Sequence, residues 1–212
     1  MKQASNLASL DFIDHGFYNA NDFQNDPDPI LMNQVHSADT LFLTEKPSNP
    51  PAVDALITKT PGLNLTVKTA DCAPVLLADP SSRMVAAVHA GWKGAFQGVL
   101  EATVLNMLRH GAHPDTIYAA IGPHIQLPSF EMGKEIKAFF PQTEENFFEM
   151  KEGKIFFDFD AYVIHRLKRA GVKSVETIGD DTYPNHNYFS YRRDPQNPGR
   201  QFSSIIIKGG NK

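Results

Sequence analysis

Two short apolar runs, Val75-Leu76-Leu77-Ala78 and Met84-Val85-Ala86-Ala87-Val88, flank the spacer Asp79-Pro80-Ser81-Ser82-Arg83. The Pro and Ser residues of the spacer suit a tight turn, so this segment predicts an antiparallel hairpin. If Asp79 pairs with Met84, His89 stands opposite Pro74 and Cys72 lies just past it, at the open end. Opposed Cα atoms in an antiparallel pair are only about 4.5–5.5 Å apart. On a shared face, Cys72 and His89 would converge on one place.

The rest of the chain supplies partners for this hairpin. Leu41-Phe42-Leu43, Ala55-Leu56-Ile57 and the run 63–67 read as further strands, as do 117–121, 175–178 and 203–207. From Gly94 to His110 the period changes to that of a helix, with Ala95, Val99, Ala102, Leu105 and Leu108 on one face and Gly111 as its stop. A short helix is predicted from Gly133 to Phe140, ending before Pro141, and a longer one from an Asp158 N-cap through Ala170, terminated by Gly171. Hairpins mixed with helices, without repeating βα units, argue for an α+β fold with mixed sheets. No repeat, charge run or Ser/Gly linker divides the 212 residues, and a composition of 42% hydrophobic and 21% charged residues suits a globular chain. One domain over residues 1–212 is expected.

Several function classes fall away on composition. Met1 to Asn6 leads into no apolar signal segment, and no apolar run approaches the ~20 residues that span a bilayer, so a cytoplasmic protein without membrane contact is expected. A single cysteine excludes an intramolecular disulfide. The net charge of -4 gives no electrostatic reason to expect nucleic acid as partner. Small molecules are the expected partners, and the oligomeric state stays open.

The hairpin leads into Ala90-Gly91-Trp92-Lys93-Gly94, a strand-to-helix turn whose free N–H groups attract an anion and favour a thiolate at Cys72. Lys93 adds a point charge for phosphate or carboxylate. His36 lies in the polar stretch Asn33 to Asp39 and so points to a surface or cleft. Two histidines and one cysteine make a three-ligand set that leaves a fourth tetrahedral position open, the pattern of catalytic zinc. The competing reading makes Cys72 a packed core residue and His36 a turn cap. His15, His110, His113, His165 and His186 are expected to be solvated, and Trp92 to be a packing residue beside the site. Arg192-Arg193 with Arg200 would either grip a phosphate or form a salt-bridged surface loop.

Taken in order, Asn33-Gln34-Val35-His36, Asp54-Ala55-Leu56, Thr69 to Val75, Val88 to Gly94, Ile121-Gly122-Pro123 and Phe189 to Asp194 resemble the signature of the laccase-domain family. Its members are also called multicopper polyphenol oxidase-like proteins and purine nucleoside phosphorylases. The resemblance runs from His15-Gly16-Phe17 to Gly199-Arg200 and implies α/β/β/α layers with mixed sheets. It also implies a metal held by His36, Cys72 and His89: zinc first, copper second. By the same resemblance the expected function is a zinc-dependent purine nucleoside phosphorylase, acting on adenosine, inosine, guanosine and methylthioadenosine, with adenosine deaminase activity. Gln34, Lys93, Arg192 and Arg193 are the expected contacts to nucleoside or phosphate, and Asp71 is the nearest group for proton transfer or for orienting a ligand histidine.

Other readings stand beside it. Cys72 and His89 would form a nucleophilic pair in a hydrolase, and some family members are linked to editing of peptidoglycan precursors. A copper phenol oxidase would need several coppers and more histidines than gather here. A non-catalytic module would bind nucleoside without turnover. Three departures from the family pattern bear on these expectations. Only Tyr18 to Met32 fills a normally longer segment, which puts substrate contacts from it in doubt. His124 replaces a cysteine and is a further polar group for the site, and Asp181-Thr182 replaces a Cys-Thr pair.

Overall fold

In the computed structural model, which describes residues 1–20, 22, 28–196 and 199–209, the predicted hairpin is the centre of the fold. The strands are β1 (Ile13–Phe17), β2 (Thr40–Leu43), β3 (Ala55–Thr58), β4 (Leu65–Thr69), β5 (Ala73–Asp79), β6 (Met84–Ala90), β7 (Tyr118–Ile121), β8 (Glu131–Met132), β9 (Phe148–Lys151), β10 (Lys154–Phe157), β11 (Ser174–Thr177) and β12 (Gln201–Ile207). The helices are α1 (Ser5–Ala8), α2 (Trp92–Gln97), α3 (Val99–Arg109), α4 (Lys134–Lys137) and α5 (Phe159–Arg169). β5 and β6 pair from Asp79–Met84 to Ala73–Ala90, with Pro74 opposite His89 as the register expectation required.

A six-stranded sheet in the order β11-β7-β5-β6-β3-β2 surrounds this pair. Its outer pairs β2–β3 and β7–β11 are parallel and its inner pairs antiparallel, so the α+β class with mixed sheets is the one observed. A three-stranded antiparallel sheet, β1-β12-β4, covers one face, and a separate small β8-β10-β9 sheet packs Met132 and Phe157 into the core beside α5. Alternation along the hairpin divides the core in two. Val75, Leu77, Ala86 and Val88 pack with residues of α3 and α5, whereas Leu76, Ala78, Val85 and Ala87 pack with Leu65, Val67, Phe17 and Ile205 of the smaller sheet. Every residue of β5 and β6 is buried, which explains their continuous apolar composition.

The helix predicted from Gly94 to His110 is two helices. Gly98 takes φ 99 between them, a left-handed conformation that glycine adopts without a Cβ penalty. The break shifts the helical phase: Val99, Leu100, Thr103, Val104 and Met107 face the core, and Leu105 of the expected stripe is 49% exposed. The α5 boundaries follow the sequence reading, since Asp158 accepts the Ala161 N–H (3.0 Å) and Gly171 has φ 94. The helix expected over 133–140 shortens to the single turn of α4, and β1 and the β8-β10-β9 sheet were not foreseen. His15 is not solvated: it lies buried on β1 and accepts the Ala4 N–H through Nε2 (3.0 Å). Of the short segment Tyr18 to Met32, residues 21 and 23–27 lie outside the described residues. Among the described residues no helix is long and apolar enough to cross a membrane.

Candidate active site

Three elements meet where the hairpin opens. His89 is carried near the end of β6, Cys72 stands just before β5, and the loop over 33–39 brings in His36. One donor atom from each residue lies within 4.8 Å of the other two, and the imidazoles of His36 and His89 meet edge to face with centroids 4.7 Å apart. Among the described residues this is the cluster of three or more His, Cys or acidic groups able to hold a metal ion.

A residue that the sequence reading left without a role organises the cluster. Asp54, fully buried just before β3, accepts a hydrogen bond from His89 Nδ1 (2.8 Å). The same carboxylate accepts the backbone N–H groups of Val35, His36 and Ser37 at 3.2, 3.1 and 2.7 Å, and the Ser37 hydroxyl at 3.0 Å. Burial alone would raise its pKa, but the bonds from His89 and the Ser37 amide outweigh that and hold it at about 2. An ionised carboxylate only accepts, so His89 Nδ1 carries a proton and Nε2 faces the cluster, where it becomes a metal ligand on releasing its own proton. The three amide bonds also hold His36 at φ 59, a conformation costly for a non-glycine residue.

Burial disfavours the cationic form of His89, yet the Cys72 sulfur beside it and the Asp54 carboxylate reverse this and raise its pKa to about 9. His36 is shifted the other way: burial and then the adjacent His89 lower its pKa, against an opposing effect of Asp54. Space is conserved for the donors too. A Cβ added at Gly91 would stand 2.7 Å from His36 Nδ1 and 3.2 Å from Cys72 Sγ, inside the cluster. Glycine at 91 therefore serves close approach as well as the strand-to-helix turn. A soft sulfur, two imidazoles and an orienting carboxylate behind one of them form a donor set able to hold a metal ion.

The cluster opens on a cavity of about 730 Å³, within the range of small-molecule sites. Trp92, Phe130, Phe159 and Tyr191 supply aromatic walls. Trp92, expected as a packing residue, both lines this cavity and packs toward Phe140, with ring centroids 6.4 Å apart.

The remaining expected site residues divide. Gln34 lines the cavity, but its amide is committed to the Lys68 backbone, donating to O (2.7 Å) and accepting N–H (3.0 Å). Arg192 reaches the cavity with its guanidinium 5.8 Å from the Phe130 ring centre. Arg193 does not. It donates to the carbonyls of Thr182, Tyr183 and Tyr188, so it ties a loop together rather than meeting phosphate. Lys93 is exposed and stands outside the cavity wall.

Asp71 is expected to transfer a proton or to orient a ligand histidine, and for His89 the orienting contact comes from Asp54. The Asp71 carboxylate instead accepts from Thr182 Oγ1 and the Arg192 N–H, both at 2.7 Å, and the residue sits at φ 81. His124 is also absent from the wall. It is fully buried, with Nδ1 2.9 Å from the Gly122 carbonyl and its ring edge-on to Phe159, and burial lowers its pKa.

A family model described as multi-copper polyphenol oxidoreductase laccase matches residues 17–208. The chain is 38% identical over 191 residues to a purine nucleoside phosphorylase of Rickettsia conorii, covering 85% of this chain and 79% of the relative. It is 33% identical over 198 residues to adenosine deaminase RL5 of an unknown prokaryotic organism, covering 85% and 76%. Among solved structures, a Neisseria meningitidis protein described as DUF152 superposes with a TM-score of 0.78 at 34% identity, covering 85% of this chain and 75% of that one.

Proposed function

The chain belongs to the family described as multi-copper polyphenol oxidoreductase laccase, and from that premise we propose that it is a zinc-dependent purine nucleoside phosphorylase that also deaminates adenosine. The observation that carries the proposal is the open trio His36, Cys72 and His89 at the mouth of an aromatic-walled cavity. Relatives named as purine nucleoside phosphorylase and adenosine deaminase support a role in processing purine nucleosides. Zinc held by the trio supplies Lewis acidity that activates water or polarises a substrate group. The phenol-oxidase reading has little support, since the described residues gather one three-donor cluster and a laccase route needs several copper sites. The proposal treats residues 1–212 as one domain working in the cytoplasm, where a lone thiol stays reduced.

The protein's own groups have separate tasks. Asp54 fixes the His89 ring orientation and the His36 loop, so the donors are set before substrate arrives. Trp92, Phe130 and Tyr191 offer flat surfaces to a purine, and Asp71, locked to Thr182 and Arg192, anchors the Cys72 turn. In phosphorolysis an oxygen of hydrogenphosphate bonds to the ribose anomeric carbon as the glycosidic C–N bond breaks. The bonding pair leaves with the purine, which takes the proton given up by the phosphate. In deamination the oxygen of water adds to the purine carbon bearing the amino group, which leaves as ammonia.

A second reading is favoured by one observation: Cys72, His89 and Asp54 also form the nucleophile, base and orienting carboxylate of a cysteine hydrolase. Product analysis separates the two. Purified protein with adenosine and phosphate is expected to yield adenine and ribose 1-phosphate, and without phosphate inosine and ammonia. No consumption of adenosine under either condition would refute the nucleoside reading.

A further inference from the structure

We propose that Lys68, Arg192 and Arg200 form the oxyanion subsite of the cavity and hold inorganic phosphate, an inference that rests on the phosphorylase reading. All three line the cavity onto which the His36–Cys72–His89 cluster opens. Lys68 pairs with Phe202 across β4 and β12, and Arg200 lies two residues before Phe202. Continuing that register makes Lys68 and Arg200 diagonal neighbours on one face, a relation that places Cα atoms about 7–8 Å apart. Arg192 enters from the loop after Ser190, held there by its own N–H on Asp71 and by a side-chain bond to the Glu131 carbonyl.

Cations outnumber carboxylates on this wall, with Lys68, Arg192 and Arg200 against Asp71 and Glu131. Neither Lys68 nor the Arg192 guanidinium has a carboxylate partner among the described residues. Of the two carboxylates, Glu131 is paired with Lys154 (2.8 Å), whereas Asp71 accepts from the neutral Thr182 hydroxyl and Arg192 backbone N–H and keeps its charge, so the wall stays cationic on balance. A cationic wall inside a chain of net charge -4 is a selective place for a small anion. Planar guanidinium groups bind two phosphate oxygens at once, and the Lys68 ammonium adds a point charge. Phosphate held there shares one cavity with the aromatic walls on which a nucleoside would stack. Lys93 and Arg193 fall outside this subsite, since neither lines the cavity and Arg193 is committed to three backbone carbonyls.

The test is calorimetric titration of inorganic phosphate into wild type, Lys68→Met, Arg192→Met and Lys93→Met, with the KM for phosphate in adenosine phosphorolysis measured alongside. Lys68→Met and Arg192→Met are each expected to weaken phosphate binding and raise its KM at least tenfold, with a smaller fall in kcat and a lower ratio of phosphorolysis to deamination. Lys93→Met is expected to stay within twofold of wild type. Phosphate binding and KM unchanged in both Lys68→Met and Arg192→Met would overturn the subsite while leaving the phosphorylase reading intact. Phosphate bound by wild type and lost in those variants, without any phosphorolysis, would support the subsite and refute the reading.

Discussion

Asp54 concentrates at one carboxylate what most orienting contacts divide among several groups. Because it touches His89 Nδ1 and the amides of residues 35–37, its removal disturbs two proposed ligands together. Loss of such a contact behind a ligand histidine weakens metal binding about 10–100-fold. Asp54→Asn is expected to show that loss in zinc competition titrations of the metal-free protein. Its pKa of about 2 lies below the ordinary 3.8, so its contribution to stability is present above about pH 4 and is lost as pH falls through 2. Denaturant melts of metal-free wild type and Asp54→Asn should therefore differ by about 2 kcal/mol at pH 7, with the gap closing toward pH 2; a gap independent of pH would contradict this.

At this scale the sequence made the meeting of Cys72 and His89 legible, because hairpin register depends on a local turn. Asp54 was not legible, because its contacts depend on β3 lying beside β6, a pairing between segments about thirty residues apart. Arg193 misled for a related reason. A guanidinium suits phosphate in any sequence, and only the folded loop shows three carbonyls already around it.

Elements were read well where their signals are local. Asp158 and Gly171 bracket α5 through a cap and a left-handed stop, both visible as residue types. Gly98 gives no such signal, because an isolated glycine in a helical pattern is ordinarily tolerated. Its φ of 99 makes the break structural. An added Cβ would meet Arg166 Nη2 at 3.5 Å, an ordinary contact, so the cost of Gly98→Ala is conformational. Urea melts are expected to show a loss of about 1–2 kcal/mol; unchanged or greater stability would mean that α2 and α3 can join as one helix. The β9–β10 hairpin went unseen because β9 is largely exposed and has no burial alternation. Its turn, Glu152-Gly153 at φ 53 and 77, carried the available signal in the form of a glycine in a two-residue loop.

For the whole molecule, the decisive feature is a hairpin buried on both faces, with helices on one side and a second sheet on the other. The mixed α+β class followed from the order of elements. The division into six- and three-stranded sheets did not, because β12 reaches back across the chain to pair with both β1 and β4. This arrangement sets the open end of the hairpin against the cavity and places sulfur, imidazoles and cations around one space. The central claim, that this space is a zinc-dependent nucleoside site, is tested most directly by metal content from mass spectrometry together with adenosine turnover, for wild type and Cys72→Ala. Near-equimolar zinc in wild type, with zinc and turnover both lost in the variant, is the expected result; zinc-free wild type that still turns over adenosine would contradict it.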